Sequence, residues 1–100
     1  MAKYSLTTEA QQSLKAIKKF SLNQFGKERT ILYLKALRDR MTYLGDNPKQ
    51  GRERSDLFAD WQCYSYFEGS HTIFYEINPT GIVVLDVLHQ SMDAKLHLLD

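Results

Sequence analysis

His89, Asp93 and His97 are spaced i, i+4, i+8. On one helix they would share a face, and two imidazoles with a carboxylate can hold a transition metal. That helix would have to start at His89 and run to the end of the sequence, and no further ligand pattern accompanies it. No metal is therefore expected. Met92, Leu96 and Leu98 are expected to anchor the tail, with the histidines and Asp93 bonding locally. His71 opens a strand-like run just after Gly69-Ser70, where an imidazole could act as general acid or base. It has no partner set in the sequence and reads as a structural or partner-contacting residue. Cys63, the single cysteine, lacks a basic neighbour that would favour its thiolate and reads as a small core residue. Tyr64, Tyr66 and Tyr75 could stack on bases, but aromatics on a half-exposed sheet are also what core and protein interfaces use. The chain carries no phosphate-cradling glycine loop, nucleophile elbow or Cys/His knuckle. No catalytic residue and no cofactor is expected.

The elements that must position these residues are legible from pattern. His71 to Ile77 is rich in aromatic and β-branched residues, Asn78-Pro79-Thr80-Gly81 is turn chemistry, and Ile82 to Leu88 is apolar except for Asp86. A run of that kind needs cover on both faces, which places the hairpin at the centre of a sheet. Trp61 to Phe67 alternates and is expected as a third strand. Lys3 to Thr7 is expected as a short strand at a sheet edge. Thr8-Glu-Ala-Gln11 reads as a capping box opening a helix to about Phe25, with Ala10, Leu14 and Ile17 on its core face. Gly26 stops that helix. A second helix, about Lys27 to Leu44, has a stripe of Leu34, Leu37, Met41 and Leu44 widened by Ile31. The short join makes the two an antiparallel pair. Arg52 and Arg54 begin a short strand, with Leu57 and Phe58 an apolar foot in a loop. The tail after His89 allows one or two helical turns. One hundred residues suit a single domain, 1–100, with one core. The fold class is α+β: an N-terminal strand, then a helical hairpin packed on a small, mostly antiparallel sheet. A partly covered second face and an open edge would leave room for a partner chain.

Charge is unevenly placed. Residues 1–54 carry +7 and residues 55–100 carry −6, and no Lys or Arg lies between Trp61 and His89. A basic half can mark a nucleic-acid surface, but it reads here as solvated helix faces. An acidic half is poor ground for phosphate contacts. The lone cysteine fits a reducing compartment. With no signal-type apolar segment or membrane-length run, a cytoplasmic protein without a membrane partner is expected.

Four pieces carry a family resemblance: Leu6-Thr-Thr-Glu-Ala10 opening a helix, Asp46-Asn-Pro-Lys-Gln-Gly-Arg52 after the second helix, Gly69-Ser-His-Thr-Ile-Phe-Tyr75, and Val87-Leu-His-Gln-Ser-Met-Asp93. In this order and spacing they resemble the ParE branch of the ParE/RelE toxin superfamily over nearly the whole chain. The resemblance implies the architecture above and a type II toxin–antitoxin pair. It implies a toxin that blocks DNA gyrase by protein–protein contact and arrests growth. Its partner would be a ParD-like antitoxin that wraps a partly disordered C-terminal segment around it. DNA would be engaged only through the antitoxin, whose N-terminal dimer binds the operon promoter.

RelE-type relatives instead cut mRNA on the ribosome, chemistry that calls for basic side chains on the sheet face and Arg and Tyr near the C-terminus. Here that face offers His71, while Gln90 and Leu96 stand about where the tail Arg and Tyr would be. The endonuclease reading and that of a detoxified antitoxin-binding module stand as alternatives. ParE-like sequences also often carry Arg where this chain has Tyr64 and Asp86. Target contact is expected around Tyr64, His71, His89, Met92, Asp93 and His97. Antitoxin contact is expected around Phe20, Leu57 and Phe58.

Overall fold

The computed structural model describes residues 3–99; Met1, Ala2 and Asp100, which the single-domain expectation includes, lie outside the described residues. Chain order is β1 (Tyr4–Leu6), α1 (Thr8–Phe25), α2 (Lys27–Asp46), a 3-10 turn (Pro48–Gln50), β2 (Arg52–Glu53), β3 (Tyr64–Glu68), β4 (His71–Asn78), β5 (Gly81–His89) and α3 (Ala94–Leu99). The five strands lie in the order β1-β5-β4-β3-β2. All neighbours are antiparallel except the edge strand β1, which runs parallel to β5. The α+β expectation holds, with the predicted hairpin as the middle of the sheet.

Local chemistry explains the boundaries. The cap of α1 is Thr7, not Thr8: its hydroxyl oxygen accepts from the Ala10 N–H at 3.0 Å. The choice is made in three dimensions. Thr7 also donates its hydroxyl to the Leu85 carbonyl at 2.6 Å and its N–H to the Val84 carbonyl at 3.1 Å. One residue thus ends β1, caps α1 and holds both against β5. Gly26, at φ 84°, is the whole join between the helices. Beside it the Thr30 hydroxyl lies 2.8 Å from the Gly26 carbonyl and 2.9 Å from the Ser21 hydroxyl, so a buried polar contact ties the helices. Gly81 has a different task. A Cβ there would come within 1.8 Å of the Lys3 carbonyl, so only glycine lets β1 approach the start of β5.

The α2 stripe is shifted from the expected one. Thr30, Leu37, Met41 and Leu44 are buried and Ile31 is exposed. Thr30 holds the inner position because its hydroxyl is satisfied by Ser21 and Gly26. The helix-side core joins these residues to Ala10 and Ile17 of α1 and to Ile73, Tyr75, Ile82, Val84 and Val87 of the sheet. Tyr75 is fully buried, yet its hydroxyl donates to the Pro48 carbonyl (2.7 Å) and accepts from the Gly51 N–H (2.9 Å). The Asp46–Arg52 motif is therefore a backbone cradle for one phenol. That burial pushes the Tyr75 phenol up to about 12.

The second face is covered by irregular chain. Cys63, Phe74 and Leu88 are buried beneath Leu57, Trp61, Leu85, Ala94 and Leu98. β3 begins at Tyr64, so Trp61 and Cys63 precede the strand rather than belong to it. The Arg54 N–H bonds the Cys63 carbonyl at 2.7 Å and closes the 54–63 loop over this face. A bulge in β5 sets the two faces: Phe74 pairs with Asp86 and Tyr75 with Val84, leaving Leu85 as the extra residue. Among the described residues no helix is long and apolar enough to cross a membrane.

Candidate functional site

Thr7 and Asp86 pin the N-terminal half of α1 to β5. The Ser13 hydroxyl donates to Asp86 Oδ1 at 2.5 Å, and the same oxygen accepts from the Val87 N–H at 2.8 Å. Asp86 is buried, 6% exposed, and both contacts fall on its Oδ1. Beyond these attachments the C-terminal half of α1 is left standing over the strand ends. Between them lies a groove of about 640 Å³, walled by Ile17, Phe20 and Phe25 of α1, Arg29 and Tyr33 of α2, and His71, His89 and Met92. Phe20 (62% exposed), Phe25 (54%) and Met92 (47%) present apolar surface to solvent. Such contiguous apolar exposure makes the groove a candidate interaction site.

The groove floor is a pair of imidazoles. His71 and His89 face each other across the β4–β5 register, with ring centroids 5.4 Å apart and planes near perpendicular. Tyr33 Oη donates to the Glu68 carbonyl at 3.0 Å and lies 2.6 Å from His71 Nδ1. A phenol has one proton, so the His71 Nδ1–H donates to Tyr33 Oη and Nε2 remains open. His89 Nδ1 accepts from the Ser91 N–H at 3.1 Å, which puts the proton of the neutral ring on Nε2. Burial, and then the neighbouring His89, lower the pKa of His71. Burial likewise raises that of Tyr33. Both rings are therefore neutral near pH 7, and neither is arranged as a nucleophile–base pair. Gly69, at φ 59°, makes the β3–β4 turn beneath Tyr33, whose ring would meet a Cβ there at 2.6 Å.

The expected site residues separate into three groups. His71, His89 and Met92, expected at the target surface, and Phe20, expected at the antitoxin surface, line this one groove. Tyr64 does not reach it. It stacks on Tyr75 at 5.6 Å, four residues further along β4. Asp93 and His97 also stand apart: Asp93 Oδ1 accepts from the Lys95 N–H and caps α3, and His97 lies within that helix. His89 ends a strand and α3 begins at Ala94, so His89, Asp93 and His97 share no helix. Of the tail residues expected as anchors, Leu98 packs on the second core, whereas Met92 turns to the groove and Leu96 is 66% exposed. Leu57 and Phe58 are on the far face, Leu57 against that core and Phe58 with its ring 4.9 Å from that of Trp61. They do not share a surface with Phe20.

Sequence reasoning missed Phe25, Arg29 and Tyr33. Part of the signal was available: Phe20 is a large apolar residue to one side of the Ala10–Leu14–Ile17 stripe of a basic helix, and Phe25 carries that stripe on to the end of the helix. On the far face, the absence of Lys and Arg from 61 to 89 is offset by Arg54. Its guanidinium lies 5.8 Å from the Phe74 ring, but it is committed to both oxygens of Asp56 and to the Ser65 hydroxyl.

Residues 4–94 match the family model described as the ParE toxin of the type II toxin–antitoxin system parDE. A Toxin ParE1 of Caulobacter vibrioides is 31% identical over 99 residues, covering 98% of this chain and 99% of its own. A Toxin ParE1 of Mycobacterium tuberculosis is 31% identical over 98 residues, covering 97% and 98%. A solved structure described as the chromosomal ParDE toxin–antitoxin system from P. aeruginosa superposes with a TM-score of 0.71 at 16% identity, over 89% of this chain and 96% of that one. The last likeness carries the fold; the family model and the relatives carry the membership, and the chain belongs to the ParE toxin family of type II toxin–antitoxin systems.

Proposed function

We propose that this ParE-family toxin arrests growth in the cytoplasm by protein–protein contact with DNA gyrase, without chemistry of its own. A ParD-like antitoxin neutralises it by covering the same groove. The observation that carries this reading is the merging of two residue sets: Phe20 of α1 and His71, His89 and Met92 around the strand ends line one apolar groove. An antitoxin segment seated there would deny the target the surface it needs. One feature favours contact over RNA cleavage. The guanidinium on the far face is neutralised by Asp56, so it is poorly placed to stabilise phosphoryl-transfer charge. DNA is engaged only indirectly, through the antitoxin complex.

The test is a supercoiling assay with purified toxin, run with and without the product of the adjacent reading frame. Inhibited supercoiling or accumulated cleaved DNA, relieved by the antitoxin, is the expected result. Normal supercoiling at micromolar toxin removes gyrase as the target. Defined cleavage of translated messages would move the protein to the endonuclease class. Folded protein that leaves growth unaffected would make it a detoxified binding module.

A further inference from the structure

The ionisable side chains lining the groove are Arg29, Tyr33, His71 and His89, and no carboxylate is among them. This is unexpected beside a sheet half that carries a net charge of −6. The nearby acids are engaged elsewhere: Glu68 pairs with Arg40 at 3.0 Å, and Asp93 caps α3. Among the described residues the ion pairs are Lys3–Asp46, Lys35–Asp39, Arg40–Glu68 and Arg54–Asp56. Arg29 is in none of them; its guanidinium lies 5.7 Å from the centre of the Phe25 ring at the groove wall. The nitrogen donors around the groove are the Arg29 fork and His89 Nε2–H; His71 Nε2, an acceptor on the neutral ring, becomes a third on protonation.

We propose that the groove receives a segment of the antitoxin that lays apolar side chains on Phe20, Phe25 and Met92 and sets one carboxylate, from Asp or Glu, among Arg29, His71 and His89. The inference rests on the antitoxin reading above and specifies the chemistry of what docks. The argument is complementarity of charge and polarity. Apolar walls favour an amphipathic segment, and the Arg29 guanidinium and the His89 Nε2–H, with no carboxylate beside them, are donors that an anion satisfies. A phosphate or an RNA backbone would offer the same charge. It would leave Phe20, Phe25 and Met92 uncovered, so the peptide carboxylate is the better occupant.

Proton linkage follows. The groups facing His71 are Tyr33 and Arg29 from α2 and His89 from β5; the α1 wall contributes Ala16, Ile17, Phe20, Ser21 and Phe25, none of them titratable. In the free toxin His71 is held neutral by burial and by His89. A carboxylate beside it favours the imidazolium and raises its pKa in the complex. Binding then tightens as pH falls from the bound-state pKa towards the free-state one, and levels off below it.

The experiment uses the full-length toxin and the antitoxin encoded with it. Affinity is measured from pH 8 to pH 5.5, with the His71 ring titration followed by NMR in the free and bound toxin. The expected result is an upward shift of the His71 pKa on binding and tighter binding at the acid end. Arg29→Gln, at an exposed position, should weaken binding about tenfold, as loss of a charged hydrogen bond does. His89→Gln, also at an exposed position, should lower the pH dependence while binding persists. If the complex forms but His71 titrates alike free and bound, and Arg29→Gln binds as the parent does, the carboxylate anchor is wrong and the antitoxin reading survives. If no complex forms at all, both fall.

Discussion

The two faces of the sheet are built differently. On one, two long helices lay a continuous stripe on Ile73, Tyr75, Ile82 and Val84. On the other, a loop and one short helix cover only Cys63, Phe74 and Leu88. The helix side is the larger core, and it is also the side that opens into a groove. A rigid helix cannot follow a twisted sheet to its end. Where α1 departs from the strand ends, the sequence places Phe20 and Phe25 rather than polar residues. The irregular face has no such constraint, because a loop can follow the surface and close it. Regular secondary structure thus supplies both the stability and the unfilled space proposed for binding.

This difference sets the largest expected effect. Leu37 is fully buried at the centre of the helix side. Leu37→Ala should cost about 3–5 kcal/mol, from lost transfer energy and the cavity left behind. Leu57 is only half-buried over the far face. For Leu57→Ala about 1–2 kcal/mol is expected, since its site is partly wet and its loop can close in. Urea unfolding of the two variants tests the ranking. Equal losses would mean that the irregular face carries as much of the stability as the helical one.

The same division marks what could be read from the sequence. The β4–β5 hairpin, the two helices and their one-residue join follow from local pattern and turn chemistry, so they were legible within a residue or two. What escaped depended on partners distant in the chain. Thr8 is as good a cap as Thr7 by composition, and the Leu85 carbonyl decides between them. Trp61 and Cys63 alternate like strand residues, but the Arg54 N–H takes the Cys63 carbonyl and the strand starts later. Asp86 interrupts an apolar run, and only the fold brings Ser13 to its carboxylate. In the candidate site, His71, His89 and Met92 lie in the family-like segments and share a surface. Phe20, expected at another partner, joins them, while Tyr64, Asp93 and His97 do not, because sequence spacing does not say where α1 leaves the sheet.

A smaller effect tests how α1 is held. Ser13 gives its hydroxyl to Asp86 Oδ1, which otherwise accepts from the Val87 N–H. Ser13→Ala leaves a buried carboxylate with one fewer donor and should cost about 1–2 kcal/mol. Because this contact sits next to the groove, the same substitution should weaken antitoxin binding, whereas Leu57→Ala should weaken it little once its stability loss is allowed for. Titration of both variants at a temperature where each is folded separates the cases. Weaker binding by the Leu57 variant and unchanged binding by the Ser13 variant would put the docking surface on the wrong face.

The smallest effects are protonic and have opposite signs on the two faces. His71 at the groove has a pKa lowered from 6.5, first by burial and then by His89. Its folded-state pKa is below its unfolded one, so the folded chain binds fewer protons. Its contribution is intact above pH 6.5 and is lost as pH falls through the lowered value. Cys63 on the far face has its thiol pushed up from 9.0 to about 11, mainly by burial. The folded chain then keeps the proton longer than the unfolded one. That contribution is intact below pH 9 and is lost as pH rises towards 11. Stability measured across the whole range should therefore decline at both ends. His71→Gln should flatten the acid limb just below pH 6.5, where carboxylates still contribute little, and Cys63→Ala should flatten the alkaline one, each leaving the other limb in place. If His71→Gln changed the alkaline limb instead, the two faces would be coupled through the sheet rather than titrating as separate surfaces.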